Sequence, residues 1–180
     1  MPKADALNWK LWLLISIAVF ALDQLTKHWI LANFSLGYSQ EVLSFFNLVH
    51  VHNYGAAFSF LSDQPGWQRW FLGVIAFLVS ILLVIWILRL ESDQKLELAG
   101  LSFILGGATG NLWDRISLGY VVDFIDWYYP ASESCFHFFY FRPEWQSCHW
   151  PAFNLADSSI FIGASLLILD MLTNQKGKHQ

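Results

Sequence analysis

The sequence predicts an all-α membrane protein, with four transmembrane helices in a single integral membrane domain over residues 1–180. Three observations predict it. Of 180 residues, 56% are hydrophobic and only 13% are charged, about half the charged share of a soluble domain, and mean hydropathy is +0.42. Four apolar stretches each come near the roughly 20 residues that cross about 30 Å of hydrocarbon. The polar residues that interrupt those stretches gather toward one end of them. A net charge of −4 gives no electrostatic footprint for a nucleic-acid partner.

The first span, Leu11 to Ile30, is apolar through Leu22 and then meets Asp23 and Lys27. Lys3, Lys10 and a weak Val19-Phe20-Ala21 cleavage match imitate a secretory leader. The apolar face continues past Asp23 to Ile30, which a discarded peptide does not need. The first outer segment, residues 31–68, alternates through Val49-His50-Val51-His52. That period reads as a strand, with Asn53-Tyr54-Gly55 as a turn. His50 and His52 read there as surface polar positions, not as a metal pair. Trp70 to Leu88 is the clearest span and carries no charge. The third span, Leu96 to Trp113, has Glu97 near one end and Asn111 at the other. Its Gly106 and Gly110 form a small-xxx-small pair that lets helices approach. After the second outer segment, residues 114–151, the fourth span runs from Ala152 to Leu172, with Asp157 near its start and Asp170 near its end.

Charge orients the bundle. With both termini cytoplasmic, Lys3, Lys10, Arg89, Lys95, Lys176 and Lys178 lie inside, against Lys27, Arg69, Arg115 and Arg142 outside. Asp23, Lys27, Asn111, Asp114, Arg115, Asp123, Asp126, Asn154 and Asp157 then all fall toward the outer face. Ionisable groups at membrane depth are costly and usually functional. Asp23 and Lys27, four apart on one helix, also read as a structural ion pair. Asp114 and Arg115 read as an interfacial helix end, and Asn154 as a helix cap.

The chain carries no zinc-protease, serine-hydrolase or phosphate-loop motif. Carboxylates are the well-supplied reactive type. Two that share a site keep one proton between them, which gives a base to activate water and an acid to polarise a carbonyl. Asn and Arg neighbours are suited to a developing oxyanion. Spacing leaves Asp114, Asp123, Asp126 and Asp157 in contention. It also leaves a proton-coupled carrier and a non-catalytic scaffold open, although carrier sites lie nearer the midplane and between repeats, and no repeat is evident.

Five ordered stretches resemble the bacterial lipoprotein signal peptidases, the signal peptidase II family. They are Asp23-Gln24-Leu25-Thr26-Lys27, Asn53-Tyr54-Gly55-Ala56-Ala57-Phe58, Gly106 through Arg115, Val121-Val122-Asp123-Phe124-Ile125-Asp126, and Trp150 through Ser158. The resemblance implies an inner-membrane aspartic endopeptidase with a small extracytoplasmic β-cradle and its active site toward the periplasm. It implies cleavage of prolipoproteins before a diacylglyceryl-modified cysteine, without a cofactor or metal. Substrate and membrane lipids are the partners it implies, and a monomer is expected. It selects Asp123 and Asp157 as the catalytic pair. It assigns supporting or substrate-binding roles to Asp23, Lys27, Asn53, Gly55, Asn111, Arg115 and Asn154.

The second outer segment is longer than the family pattern. Residues 127–150 hold ten aromatics in 24 positions, which reads as an extended aromatic loop at the headgroup level or a lid over the acids. Cys135 and Cys148 fall within it, on the oxidising side. A disulfide is expected between them, worth about 3 kcal/mol in the chain-entropy picture. The alternative set for zinc is Cys135, His137, Cys148 and His149, at an unfamiliar spacing.

Overall fold

A computed structural model describes residues 8–55, 65–131, 135, 140–142 and 146–177. The helices are α1 (Asn8–Asn33), α2 (Trp67–Arg89), α3 (Lys95–Ser117) and α4 (Leu155–Gly177). The strands are β1 (Ser39–Leu43), β2 (Phe46–Asn53), β3 (Val121–Pro130), β4 (Tyr140–Arg142) and β5 (Ser147–His149). The chain divides into two compact units. One holds Met1–Gln24, Gly73–Trp113 and Leu155–Gln180, and the other Leu25–Leu72 and Asp114–Asn154.

Among the described residues, three helical segments are long and apolar enough to cross a membrane: Trp9–Asn33, Trp67–Arg89 and Leu155–Thr173. α1, α2 and α3 overshoot their expected spans by a few residues, because polar end residues such as Asn33, Arg89 and Arg115 continue the helical backbone beyond the apolar stretch. α4 instead begins at Leu155, after the expected start at Ala152, because Phe153 is bridged to Ile125 of β3, and it runs past Leu172 to Gly177. α3 has the length at 23 residues, but four glycines, Glu97, Asn111, Asp114 and Arg115 make it less apolar than the others. Exposed Val74, Phe77, Leu78, Ile81, Leu82 and Ile85 leave α2 apolar on most sides. In water such a surface would be a liability; hydrocarbon is the solvent it suits.

In the first unit, Leu83 and Ile87 of α2 bury against Leu98, Leu101 and Leu105 of α3, with Trp12, Leu13 and Leu167 packed around them. α3 uses its glycines to approach two helices. A Cβ on Gly106 would lie 2.7 Å from the Ser16 carbonyl oxygen of α1, and one on Gly107 would collide with the Ala156 carbonyl of α4. Ser16 Oγ also donates to the Ser102 carbonyl at 3.0 Å. These contacts give the small residues the close-packing role read from their spacing.

The second unit contains a five-stranded sheet in the order β1-β2-β3-β5-β4, with every pairing antiparallel. The strand expected over Val49–His52 is β2. α3 hands over to this sheet at Gly119 (φ +88°), where the Leu118 and Gly119 amides both return to the Asp114 carbonyl. That left-handed position is natural for glycine at a helix C-terminus.

Two expectations change here. Part of the aromatic segment 127–150 is strand: β3 extends to Pro130, and β4 and β5 continue the sheet. The backbone groups of these residues pair across strands, so the aromatic content misleads as to loop character. Phe136, His137, Phe138, Phe139 and Trp145 lie outside the described residues. His50 is buried, not surface polar, because its Nδ1 reaches the Phe34 carbonyl at 2.8 Å. Its Nε2 lies 3.1 Å from His52 Nε2, and His52 stacks on Tyr120 with centroids 3.6 Å apart.

Candidate active site

Asp123 lies on β3 opposite Val51 of β2 and is 2% exposed. Both carboxylate oxygens accept asparagine N–H bonds. Asn53 Nδ2 reaches Oδ2 at 3.0 Å, and Asn154 Nδ2 reaches Oδ1 at 2.7 Å. Asn154 also donates to the Val122 carbonyl at 3.3 Å. Asn53 is itself oriented, since its Oδ1 accepts the Gly55 N–H at 2.9 Å, an Asx turn. The Gly55 carbonyl accepts Arg115 Nη2 at 2.9 Å. The second unit therefore brings Asn53, Gly55, Arg115, Asp123 and Asn154 into one connected set. Ala56, Ala57 and Phe58, which complete the sequence motif after Gly55, lie outside the described residues.

Lys27 pairs with Asp114 at 2.8 Å, and both side chains are essentially inaccessible. Asp114 also accepts the Val122 N–H at 3.2 Å. Asp114 stands near the end of α3, as the helix-end reading expects, but marking a helix end is not all it does. It is a buried anion held by a cation and by the start of β3.

Asp157 and Asp23 belong to the first unit. Asn111 Nδ2 donates to Asp157 Oδ1 at 2.8 Å. Asp23 is fully buried. Its Oδ1 accepts the Ala156 N–H at 2.9 Å, and its Oδ2 accepts Gln24 Nε2 at 3.2 Å. Ala156 is the second residue of α4, so Asp23 serves an orphan amide at a helix N-terminus. That is a capping role which the spacing of Asp23 and Lys27 did not reveal. Gln24 was also missed; it joins Asp23 to the Gly110 carbonyl at 3.3 Å.

Three ionisable groups beside the sheet are shifted. Burial, then His50, lowers the His52 pKa. Burial, then Tyr54 and Asp114, raises that of Tyr120. Burial, then Glu41 and Asp126, raises that of Tyr128.

Cys135 and Cys148 are joined in a disulfide with Cα atoms 5.5 Å apart, so neither offers the thiolate that zinc requires. His149, the third member of the alternative zinc set, contacts Asp126 and Ser147, while His137 lies outside the described residues. Among the described residues, no group of three or more His, Cys, Asp or Glu is placed to hold a metal ion.

Comparisons with known proteins agree with one another. Residues 15–173 match the family model described as "Signal peptidase (SPase) II". A lipoprotein signal peptidase of Aeromonas hydrophila is 46% identical over 168 residues, covering 93% of this chain and 91% of the relative. One of Cellvibrio japonicus is 48% identical over 163 residues, covering 91% and 86%. A bacterial membrane enzyme solved by the in meso method at 2.3 Å resolution superposes with a TM-score of 0.74 and 30% identity, covering 94% of this chain and 92% of that one. A second, solved at 1.9 Å, gives a TM-score of 0.70 at 32% identity, covering 91% and 93%.

Proposed function

The chain belongs to the signal peptidase II family, and from that premise we propose that it is an intramembrane aspartic endopeptidase of the bacterial inner membrane that removes the signal peptide from diacylglyceryl-modified prolipoproteins. The cut falls on the amino side of the lipidated cysteine. The observation that carries this reading is the setting of Asp123, a buried carboxylate whose two oxygens are both fixed by asparagine amides.

In this reading Asp123 and Asp157 work as a pair that shares one proton. The ionised member takes a proton from water, and the resulting hydroxide attacks the scissile carbonyl. The protonated member donates to the carbonyl oxygen, giving a neutral tetrahedral intermediate. The protonated member then gives its proton to the amide nitrogen as the C–N bond breaks, while a hydroxyl of the intermediate passes its proton to the ionised member, so the pair again holds one proton. Asn53, Asn111 and Asn154 orient the carboxylates. Arg115 acts through Gly55 to hold the turn that positions Asn53. Fixed donors of this kind lower the barrier by pre-organisation.

All four helices span the membrane in this proposal, with both termini cytoplasmic and the acids toward the periplasm. α3 crosses despite its polar end because that end faces the site. The substrate enters laterally as a partner of a monomeric enzyme, its acyl chains still among the membrane lipids. Each buried CH₂ favours that location by about 0.8 kcal/mol, which holds the scissile bond near the interface. No cofactor enters the reaction.

The test is cleavage of a diacylglyceryl-modified preprolipoprotein by purified protein in detergent, read as a gel shift. Asp123→Asn and Asp157→Asn are each expected to abolish cleavage while keeping wild-type helical content. Full cleavage by either folded variant sinks the dyad.

A further inference from the structure

The segment that ends at Asn154 is laced to β3 along most of its length. Ser147 pairs with Pro130, Cys148 with Tyr129 and His149 with Tyr128. The Trp150 N–H then donates to the Trp127 carbonyl at 2.7 Å. Phe153 and Ile125 exchange N–H···O bonds of 2.8 and 3.1 Å, and Asn154 closes on Asp123. Where the Asn154 amide lands is therefore set by the register of residues 147–154 on β3.

Backbone ladders offer equivalent donors and acceptors in every register, so side chains must choose among them. A buried polar chain at the far end of this lane makes the choice. His149 Nδ1 lies 2.9 Å from Asp126 Oδ2, and Nε2 lies 2.8 Å from Ser147 Oγ. Asn47 Nδ2 reaches the same Asp126 oxygen from β2 at 2.9 Å. His149 is 0% exposed, Asp126 2% and Ser147 4%. The His149 ring lies nearly parallel to Tyr128, with centroids 5.4 Å apart. A slip of one residue would turn His149 to the opposite face of the sheet and take its N–H from a carboxylate buried out of reach of water.

We propose that His149 and Asp126 are positioning residues for the cleavage reaction. They lock the register in which Asn154 meets Asp123, and so act on a carboxylate three positions along β3 from Asp126. This rests on the reading of Asp123 as catalytic. The order Ser147–His149–Asp126 also imitates an activated serine nucleophile. Ser147 is enclosed within the sheet, however, and an acyl-transfer nucleophile must meet its substrate. The chain therefore serves alignment.

The experiment compares full-length wild type with His149→Phe, His149→Asn and Asp126→Asn on a diacylglyceryl-modified preprolipoprotein. Turnover is expressed per folded molecule, below each variant's unfolding temperature. Asp123→Asn runs alongside. His149→Phe is expected to lower kcat by about 10- to 100-fold, the size a misplacement of about 1 Å produces, with KM little changed. His149→Asn places an N–H donor where Nδ1 stood and is expected to recover most of the loss. Asp126→Asn is expected to fall between wild type and His149→Phe.

A role in stability alone would lower the unfolding temperature and leave kcat per folded molecule at wild type, which overturns the proposal. If His149→Phe does not fold, wild-type kcat in Asp126→Asn overturns it equally. Full cleavage by Asp123→Asn removes the dyad beneath it. An inactive Asp123→Asn beside wild-type kcat in the other variants removes the positioning role alone.

Discussion

Replacing Lys27 with Met tests the ion pair that ties α1 to the end of α3. The Lys27 ammonium lies 2.8 Å from Asp114 Oδ2, with side-chain exposures of 1% and 2%. Methionine fills nearly the same volume but carries no charge, so Asp114 is left inside the protein without this cation. Removing one partner of a buried pair costs about 3–5 kcal/mol, mostly through the desolvated charge that stays behind. For a chain of this size each kcal/mol moves the midpoint by about 2–4 °C. Lys27→Met should therefore melt roughly 6–20 °C below wild type. Adding Asp114→Leu removes the stranded charge and should restore part of the loss. The Val122 amide, 3.2 Å from Asp114, then loses an acceptor, so recovery is incomplete. The assay is thermal unfolding in detergent, followed by intrinsic tryptophan fluorescence for wild type, both single variants and the double variant. A Lys27→Met midpoint within about 2 °C of wild type, roughly 1 kcal/mol or less, refutes the reasoning. So does a double variant no more stable than Lys27→Met.

Two further outcomes are expected. Reducing the Cys135–Cys148 bridge, which closes a loop with sequence separation 13, should cost about 3 kcal/mol; melts with and without dithiothreitol, plus alkylation to confirm two free thiols, measure it. For His52 the folded pKa lies below the unfolded value of 6.5, chiefly through burial, so the folded state binds fewer protons than the unfolded chain. Its contribution to stability is present above pH 6.5 and is lost as pH falls through the folded pKa. His52→Phe keeps a ring against Tyr120 and should flatten the acid limb of a stability–pH curve below pH 6.5; an unchanged limb counts against the assignment.

The helices were legible in the sequence because hydrocarbon as solvent demands long apolar runs, and such runs show in any window. The strand at β2 was legible for a related reason: alternation is local. β4 and β5 were not, since strands of three residues carry too little periodicity. β4 pairs with β5, and β5 joins the sheet through β3, where Tyr128 lies more than twenty positions from its partner His149. The partners of the charged residues were also hidden. Spacing set Asp23 and Lys27 together on one helix face, but it gave no sign that Asp23 also accepts the Ala156 amide of α4 or that Lys27 reaches Asp114. Helical periodicity says which face a side chain occupies, not which distant element meets that face. Of the site, Asn53 and Gly55 were the most readable part, because the Asx turn that joins them lies within three residues.

The chemistry of the donors around the two proposed catalytic acids is consistent with their task. Asp123 is held by Asn53 and Asn154, and Asp157 by Asn111. These partners are neutral. Lys27 reaches Asp114, and Arg115 reaches the Gly55 carbonyl. A cation favours the ionised form of a carboxylate beside it. Asparagine fixes the oxygens in space with far less bias between the two protonation states. Arg115 donates to the carbonyl of the turn beneath Asn53, and Lys27 pairs with Asp114, which in turn accepts the amide of the residue before Asp123.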